Sequence, residues 1–138
     1  MSIKNRADAA PLPKIQLPWL QSKVEGAVNA YLSRLVADHH DEVLSVTLYG
    51  SQARGEAEIE SDIDLFIVIY QDVSALRQAL IDLAWEVQFE YNVVISDIIC
   101  SLSEFQQMQV NGFPYYQNIE KEGILLWKNL SEPTPAIG

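Results

Sequence analysis

The chain has 138 residues, of which 49% are hydrophobic and 20% charged, a composition typical of one folded domain rather than a disordered segment. Nine basic against 19 acidic residues give a net charge of −10, which disfavours direct binding of this chain to a nucleic-acid backbone. A single cysteine, Cys100, excludes an internal disulfide framework and a cysteine-based zinc site, and is typical of a reducing compartment. Because no apolar run approaches the roughly 20 residues of a membrane span, and no signal peptide is evident, we expect a cytoplasmic protein.

Hydrophobic periodicity predicts one α/β (α+β) domain at residues 19–130, between a flexible leader at 1–18 and a flexible tail at 131–138. The predicted elements, in chain order, are a helix at 19–38, strands at 43–49 and 62–70, a helix at 74–90, a strand at 93–100, two short helices and a last strand at 124–127. This alternation predicts a small mixed β-sheet with helices mostly on one face.

Local signals mark the ends of several predicted helices. Pro18 suits the first turn of the first helix, and Ser74 is a candidate N-cap of the second. Ser101 and Glu104 have the spacing of a capping box at the start of a third helix. A fourth helix is predicted to begin at Pro114 and to end before a glycine.

A turn that follows the first predicted strand has the features of an anion site. Glycine at position 50 lets the backbone turn sharply and a phosphate come close, and the Ser51 hydroxyl and the next amide groups lie at an expected helix N-terminus. Arg54, one turn further, is placed to hold a triphosphate oxygen. Neither a Walker A loop nor the dinucleotide-binding glycine motif is present. Taken alone, Gly50 and Ser51 also fit an ordinary turn.

Two carboxylates open the strongly apolar second strand. Asp62 and Asp64 are separated by two positions, so in a strand they share one face with their Cα atoms about 6.6 Å apart. Such a pair suits Mg²⁺, and paired metals can hold both oxygens of an in-line phosphoryl displacement. The alternative is a solvated strand end. Since ten residues separate this pair from the Gly50–Ser51 turn, adjacent strands would place the two features side by side.

Gly-Ser, ten residues, then Asp-x-Asp resembles the signature of the polymerase-beta-type nucleotidyltransferase superfamily; the match spans residues 48–65. The short chain and the segment NIEKEGILLW resemble the minimal nucleotidyltransferases (MNT), whose genes commonly pair with a HEPN-domain ribonuclease toxin. The resemblance implies the nucleotidyltransferase fold, NTP phosphates on Gly50 and Ser51, and Mg²⁺ on Asp62 and Asp64. It also implies transfer of a nucleoside monophosphate to a hydroxyl, with release of pyrophosphate.

The resemblance further implies a third carboxylate on a neighbouring strand, as a metal ligand and a possible general base. Asp97 is the candidate for this catalytic and metal-binding role, because it is the only carboxylate of the predicted strand at 93–100 and is costly to bury without a partner. The alternative is a strand-end charge that faces solvent. Glu90, at a helix end, is the reserve candidate.

Within the MNT group the resemblance implies an Mg²⁺-dependent protein adenylyltransferase. It would act as an antitoxin by transferring AMP from ATP to a tyrosine of its HEPN toxin. The 38 residues after the third strand leave no room for a helical acceptor-binding domain, which favours a hydroxyl on a docked partner. The net charge of −10 suits a more basic partner.

Two other functions remain open. One is an acidic antitoxin that neutralises its partner by steric binding, and the other is a nucleotidyltransferase with a small-molecule acceptor. Tyr115 and Tyr116 also allow two interpretations, either contact with an adenine base or a partner, or packing within the domain, which we favour.

Overall fold

The structure is a computed structural model that describes residues 15–130. The first 14 residues of the predicted leader, and the predicted tail at 131–138, lie outside these described residues. The elements in chain order are α1 (Ser22–His39), β1 (Val43–Tyr49), α2 (Gly50–Arg54), β2 (Ile63–Ile69), α3 (Ser74–Tyr91), β3 (Ile95–Ser101), α4 (Leu102–Asn111), α5 (Pro114–Glu122) and β4 (Ile124–Lys128).

The four strands form one mixed sheet in the order β3-β2-β1-β4. Strand β1 runs antiparallel to both β2 and β4, whereas β2 and β3 are parallel. The mixed α/β fold and the mixed sheet predicted from the sequence are confirmed. The prediction that the helices lie mostly on one face is wrong, because helices pack against both faces of the sheet. Because β2 is central, all its side chains except Asp64 are buried, as expected for a strand that is covered on both faces.

The two faces of the sheet carry different helices. The first face packs against α1 and α3, and forms the main core with side chains such as Leu48 and Leu65. The second face packs against α4 and α5, through a smaller cluster that includes Phe66 and Ile119. The buried stripe of α1 confirms the predicted period of three and four; its members are Val24, Ala27, Val28, Tyr31, Leu32, Leu35 and Val36. Each large member contributes about 1.5–3 kcal/mol of burial free energy.

Helix α1 begins at Ser22, so the predictions of a start at Trp19 and of a helix opened by Pro18 are wrong. Residues 17–20 instead form a turn, in which the Leu20 amide donates to the Leu17 carbonyl at 3.0 Å. The Trp19 indole N–H donates to the backbone carbonyl of residue 52 at 2.7 Å. This bond joins Trp19 to a distant part of the chain, and hydrophobic periodicity in the sequence does not predict it.

The remaining helix-end signals had mixed outcomes. Val73, not Ser74, is the N-cap of α3, and its side chain makes no capping bond. The capping box of α4 is confirmed, because Ser101 Oγ accepts from the Glu104 amide and the Glu104 carboxylate accepts from the Ser101 amide. Helix α5 starts at Pro114 and ends before a glycine, as predicted. Within residues 15–130, no helix combines the length and hydropathy required to cross a bilayer.

Candidate active site

The turn between β1 and α2 requires glycine for two separate reasons. Gly50 has φ +74°, a left-handed conformation that costs an L-residue about 1–2 kcal/mol. A Cβ atom on Gly50 would also lie 2.2 Å from Asp64 Oδ2, far inside van der Waals contact. The structure therefore brings the Gly50–Ser51 turn directly against the second carboxylate of the pair.

The two carboxylates at the start of β2 differ in environment. Asp62 is exposed just before the strand, whereas Asp64 is half-buried on the second face. Burial raises the pKa of Asp64, the negative charge of Asp62 raises it further, and the charge of Arg54 opposes both effects. The carboxylates are thus close enough for mutual repulsion, which a cation between them would relieve.

The loop that joins the turn to the carboxylates is fixed by hydrogen bonds. Gln52 is buried, and its side-chain amide donates to the carbonyl of Ser61 at 3.3 Å. The Glu58 amide donates to Ser61 Oγ at 2.7 Å. The sequence analysis did not identify Gln52. Its only sign in the sequence is that it is a polar residue between Ser51 and Arg54.

Arg54 is already engaged by two carboxylates. Its Nε donates to Glu56 at 2.8 Å, and its Nη1 donates to Glu122, at the end of α5, at 3.2 Å. These bonds raise the pKa of the guanidinium, with Glu56 as the larger cause. Arg54 therefore ties α5 to the turn, and a triphosphate would have to compete with both carboxylates for it.

The structure places Asp97 away from the pair, which argues against its predicted role as the third carboxylate. In the parallel register of β2 and β3, Ser96 lies beside Asp64, and Asp97 lies beside Leu65. Since neighbouring side chains in a strand point to opposite faces, Asp97 is on the first face. Within residues 15–130 no cluster of three His, Cys, Asp or Glu side chains is suited to a metal ion.

Glu90, the reserve candidate for the third carboxylate, also lies away from the aspartate pair. Glu90 lies near the end of α3 and accepts a hydrogen bond from Arg34 of α1 at 2.8 Å, on the first face of the sheet.

Asp97 lies on the same face in a more buried environment. Its Oδ2 atom is buried without a hydrogen-bond partner, and its charge further raises the pKa of the buried Tyr31 hydroxyl, which burial already raises.

Two tyrosines complete the second face beside Asp64. Tyr49 is the cross-strand partner of Asp64, and its hydroxyl lies 2.8 Å from that of Tyr115 on α5. Their rings meet edge to face with centroids 6.0 Å apart, and the Tyr115 ring also packs against Phe66. Burial is the main cause that raises the pKa of both phenols. Sequence reasoning missed Tyr49, although it directly precedes the glycine of the turn.

Comparison with known families identifies the domain that carries this arrangement. The model of the nucleotidyltransferase domain matches residues 30–126, well over half of the chain, and includes both motif segments. The chain belongs to the nucleotidyltransferase domain family. The predicted nucleotidyltransferase domain is therefore confirmed, whereas the finer prediction of an MNT paired with a HEPN toxin stays a prediction. The Gly50–Ser51 turn and the aspartate pair of this nucleotidyltransferase are its candidate active site.

One relative and two solved structures are similar to this nucleotidyltransferase. "Putative protein adenylyltransferase MJ0604" of Methanocaldococcus jannaschii is 31% identical over 103 residues, which cover 75% of this chain and 97% of that protein. A crystal structure of a toxin-antitoxin with AMP-PNP has a TM-score of 0.52 at 16% identity, covering 72% of this chain and 73% of the other. The structure of a "putative minimal nucleotidyltransferase" has a TM-score of 0.51 at 22% identity, covering 73% and 90%. The two structures show the shared fold.

Replacement of Asp97 distinguishes a structural from a catalytic residue. Burial raises the pKa of Asp97 above its usual range. Above that folded-state pKa the charged form opposes folding, and this cost disappears as the pH falls toward the unfolded-state value of about 3.9. We expect Asp97→Asn to raise the free energy of unfolding at pH 7 by about 1 kcal/mol or less, since Asp97 is only partly buried.

Urea denaturation between pH 4 and pH 7 measures this effect, and the gain should vanish at the acid end. We also expect Asp97→Asn to bind ATP with unchanged affinity. A large loss of nucleotide affinity would place Asp97 in the site, and a loss of stability at pH 7 would contradict the expected cost of its charge.

Proposed function

We propose that this nucleotidyltransferase is an Mg²⁺-dependent protein adenylyltransferase, which transfers AMP from ATP to a hydroxyl of a partner protein. The close approach of Gly50 to Asp64 carries the proposal, because it joins a turn suited to phosphates to a pair of carboxylates whose charges repel each other. Similarity to a protein that is named a protein adenylyltransferase supports AMP as the transferred group and a protein as the acceptor.

The residues present fit a magnesium ion. Asp62 and Asp64 offer hard oxygen ligands whose repulsion a cation would relieve, and Mg²⁺ is usually held by one or two carboxylates together with substrate phosphates and water. When bound there, Mg²⁺ would neutralise charge on the carboxylates and the phosphates. The Ser51 hydroxyl and the amides after Gly50 would donate hydrogen bonds to the phosphates. The acceptor oxygen would then form a bond to the α-phosphorus while the bond from that phosphorus to the α–β bridging oxygen breaks. Pyrophosphate would leave with the bridging oxygen, and the hydroxyl proton of the acceptor would pass to water.

An exposed apolar group supports a protein as the acceptor. Trp85 and Phe89 on α3 and Val94 before β3 are 59%, 85% and 54% exposed. Val94 lies at the end of the sheet that carries the aspartates, since its carbonyl accepts from the Ile63 amide at 2.8 Å. Exposed apolar groups of this kind mark contact surfaces for proteins. With a net charge of −10, this nucleotidyltransferase would suit a basic partner, and we propose a HEPN ribonuclease toxin modified on a tyrosine.

The proposal is tested on the protein that co-purifies with this chain or is encoded beside it. Incubation with ATP and Mg²⁺ should increase the intact mass of that partner by one or more AMP units. The variant with both Asp62→Ala and Asp64→Ala should form the complex and leave the partner mass unchanged. If the double variant still neutralises the partner, and no modified partner appears, the transferase proposal fails.

A second candidate is an antitoxin that acts by steric binding alone. It is favoured by one observation, the absence of a third carboxylate beside Asp64 among the described residues. This function predicts neutralisation without ATP at one equivalent of antitoxin per partner. Neutralisation that requires ATP would exclude it.

A further inference from the structure

Tyr49 and Tyr115 form a fixed pair of hydroxyl groups on the same face as Asp64. Tyr49 lies opposite Asp64 in the antiparallel ladder, so both side chains leave the sheet on the second face. Tyr115 comes from the first turn of α5, and its ring is held edge to face by Tyr49 and by Phe66. The far end of α5 is held by the bond between Glu122 and Arg54. Both hydroxyls are therefore positioned before a ligand arrives.

The pair has one proton more than its mutual hydrogen bond uses. Each phenol carries one donor proton at neutral pH. One of these protons forms the hydrogen bond between the two oxygens, which lie 2.8 Å apart, and either tyrosine can be the donor. Tyr115 is 38% exposed and Tyr49 is more deeply buried. When Tyr49 donates to Tyr115, the Tyr115 proton is left free for a ligand.

Such a donor would add to the Ser51 hydroxyl and the amides after Gly50, the other donors proposed for the phosphates. The guanidinium of Arg54 is engaged by Glu56 and Glu122, and the aspartate pair adds negative charge rather than hydrogen-bond donors. We infer that Tyr115, supported by Tyr49, is a phosphate-binding residue that donates a hydrogen bond to the nucleotide beside Asp64. The inference rests on the proposed function, insofar as the site must accept a nucleoside triphosphate.

The test is the affinity for an ATP analogue whose α–β bridge is a methylene group, measured with Mg²⁺ by isothermal titration calorimetry. We expect Tyr115→Phe to weaken binding about tenfold, the value of one hydrogen bond to a charged group. Tyr49→Phe keeps the Tyr115 hydroxyl and removes only the hydrogen bond that positions it, so this variant should weaken binding less. The affinity for adenosine, which has no phosphate, should be unchanged in both variants.

Tyr116→Phe is the matched control, because the Tyr116 hydroxyl bonds Glu120 and Gln109 rather than the site. Thermal unfolding of each variant checks that α5 stays in place. Unchanged affinity of Tyr115→Phe for the analogue would overturn the inference, as would an equal loss for adenosine, and in both cases the proposed function stands. If the unaltered chain binds neither ATP nor the analogue, the proposed function fails and the inference fails with it.

Discussion

Asp64→Asn is expected to lower the rate of AMP transfer by about 10²–10³-fold or more, the range found when one charged or polar group at a transition state is removed. The amide keeps the shape of the carboxylate but not its charge, so the pair with Asp62 loses much of its attraction for Mg²⁺. The free energy of unfolding should not fall with the rate, and should stay the same or rise. Burial and the charge of Asp62 both raise the pKa of Asp64, so at pH 7 the charged form opposes folding and its removal is neutral or stabilising.

Transfer of AMP to the partner and urea denaturation of the same preparations measure the two effects. Glu60→Gln is the control, because it removes one negative charge from an exposed position of the same loop. It should leave both transfer and stability close to their original values. Destabilisation by Asp64→Asn, or transfer at the original rate, would contradict the role of this carboxylate.

Gly50→Ala is expected to cost about 2–4 kcal/mol of unfolding free energy and to abolish nucleotide binding. The left-handed φ of Gly50 accounts for about 1–2 kcal/mol, and the rest comes from the contact of the new Cβ with the Asp64 carboxylate. To relieve the 2.2 Å contact, either the turn or Asp64 has to move, and each movement separates the phosphate-binding turn from the aspartate pair.

Gly112→Ala is the matched control for this substitution. Gly112 also has a left-handed φ, +62°, but the nearest atom to a Cβ there is Gln117 Nε2 at 3.6 Å, an ordinary contact. This variant should lose about 1–2 kcal/mol from backbone strain alone and should bind nucleotide normally. Equal losses of stability in the two variants, with nucleotide affinity retained by Gly50→Ala, would contradict the importance of the contact with Asp64.

Sequence patterns predicted the features that depend on neighbouring residues. Strand β1 has the predicted bounds, Val43–Tyr49. The capping box at Ser101 and the start of α5 at Pro114 follow from chemistry within a few positions. The turn at Gly50 and the carboxylate at Asp64 were also placed on adjacent strands, because a short connection between two strands favours their pairing.

Features that depend on register or on distant contacts were not predictable in this way. Asp97 was assigned to the right strand, but its face depends on the register with β2, and a shift of one residue reverses it. The engagement of Arg54 by Glu122 joins positions 68 apart in the chain, and the contact of Tyr49 with Tyr115 joins positions 66 apart. Both contacts depend on how α5 crosses the second face, which hydrophobic periodicity does not specify.

Turnover distinguishes catalysis on a protein acceptor from binding alone. The partner protein is supplied in large molar excess over this chain with ATP and Mg²⁺, and the fraction of partner that carries AMP is followed by intact mass. We expect nearly all of the partner to become modified, and the Asp64→Asn variant to leave it unmodified. An unmodified partner that is neutralised only by an equal amount of this chain would exclude catalysis and would identify the protein as a steric antitoxin.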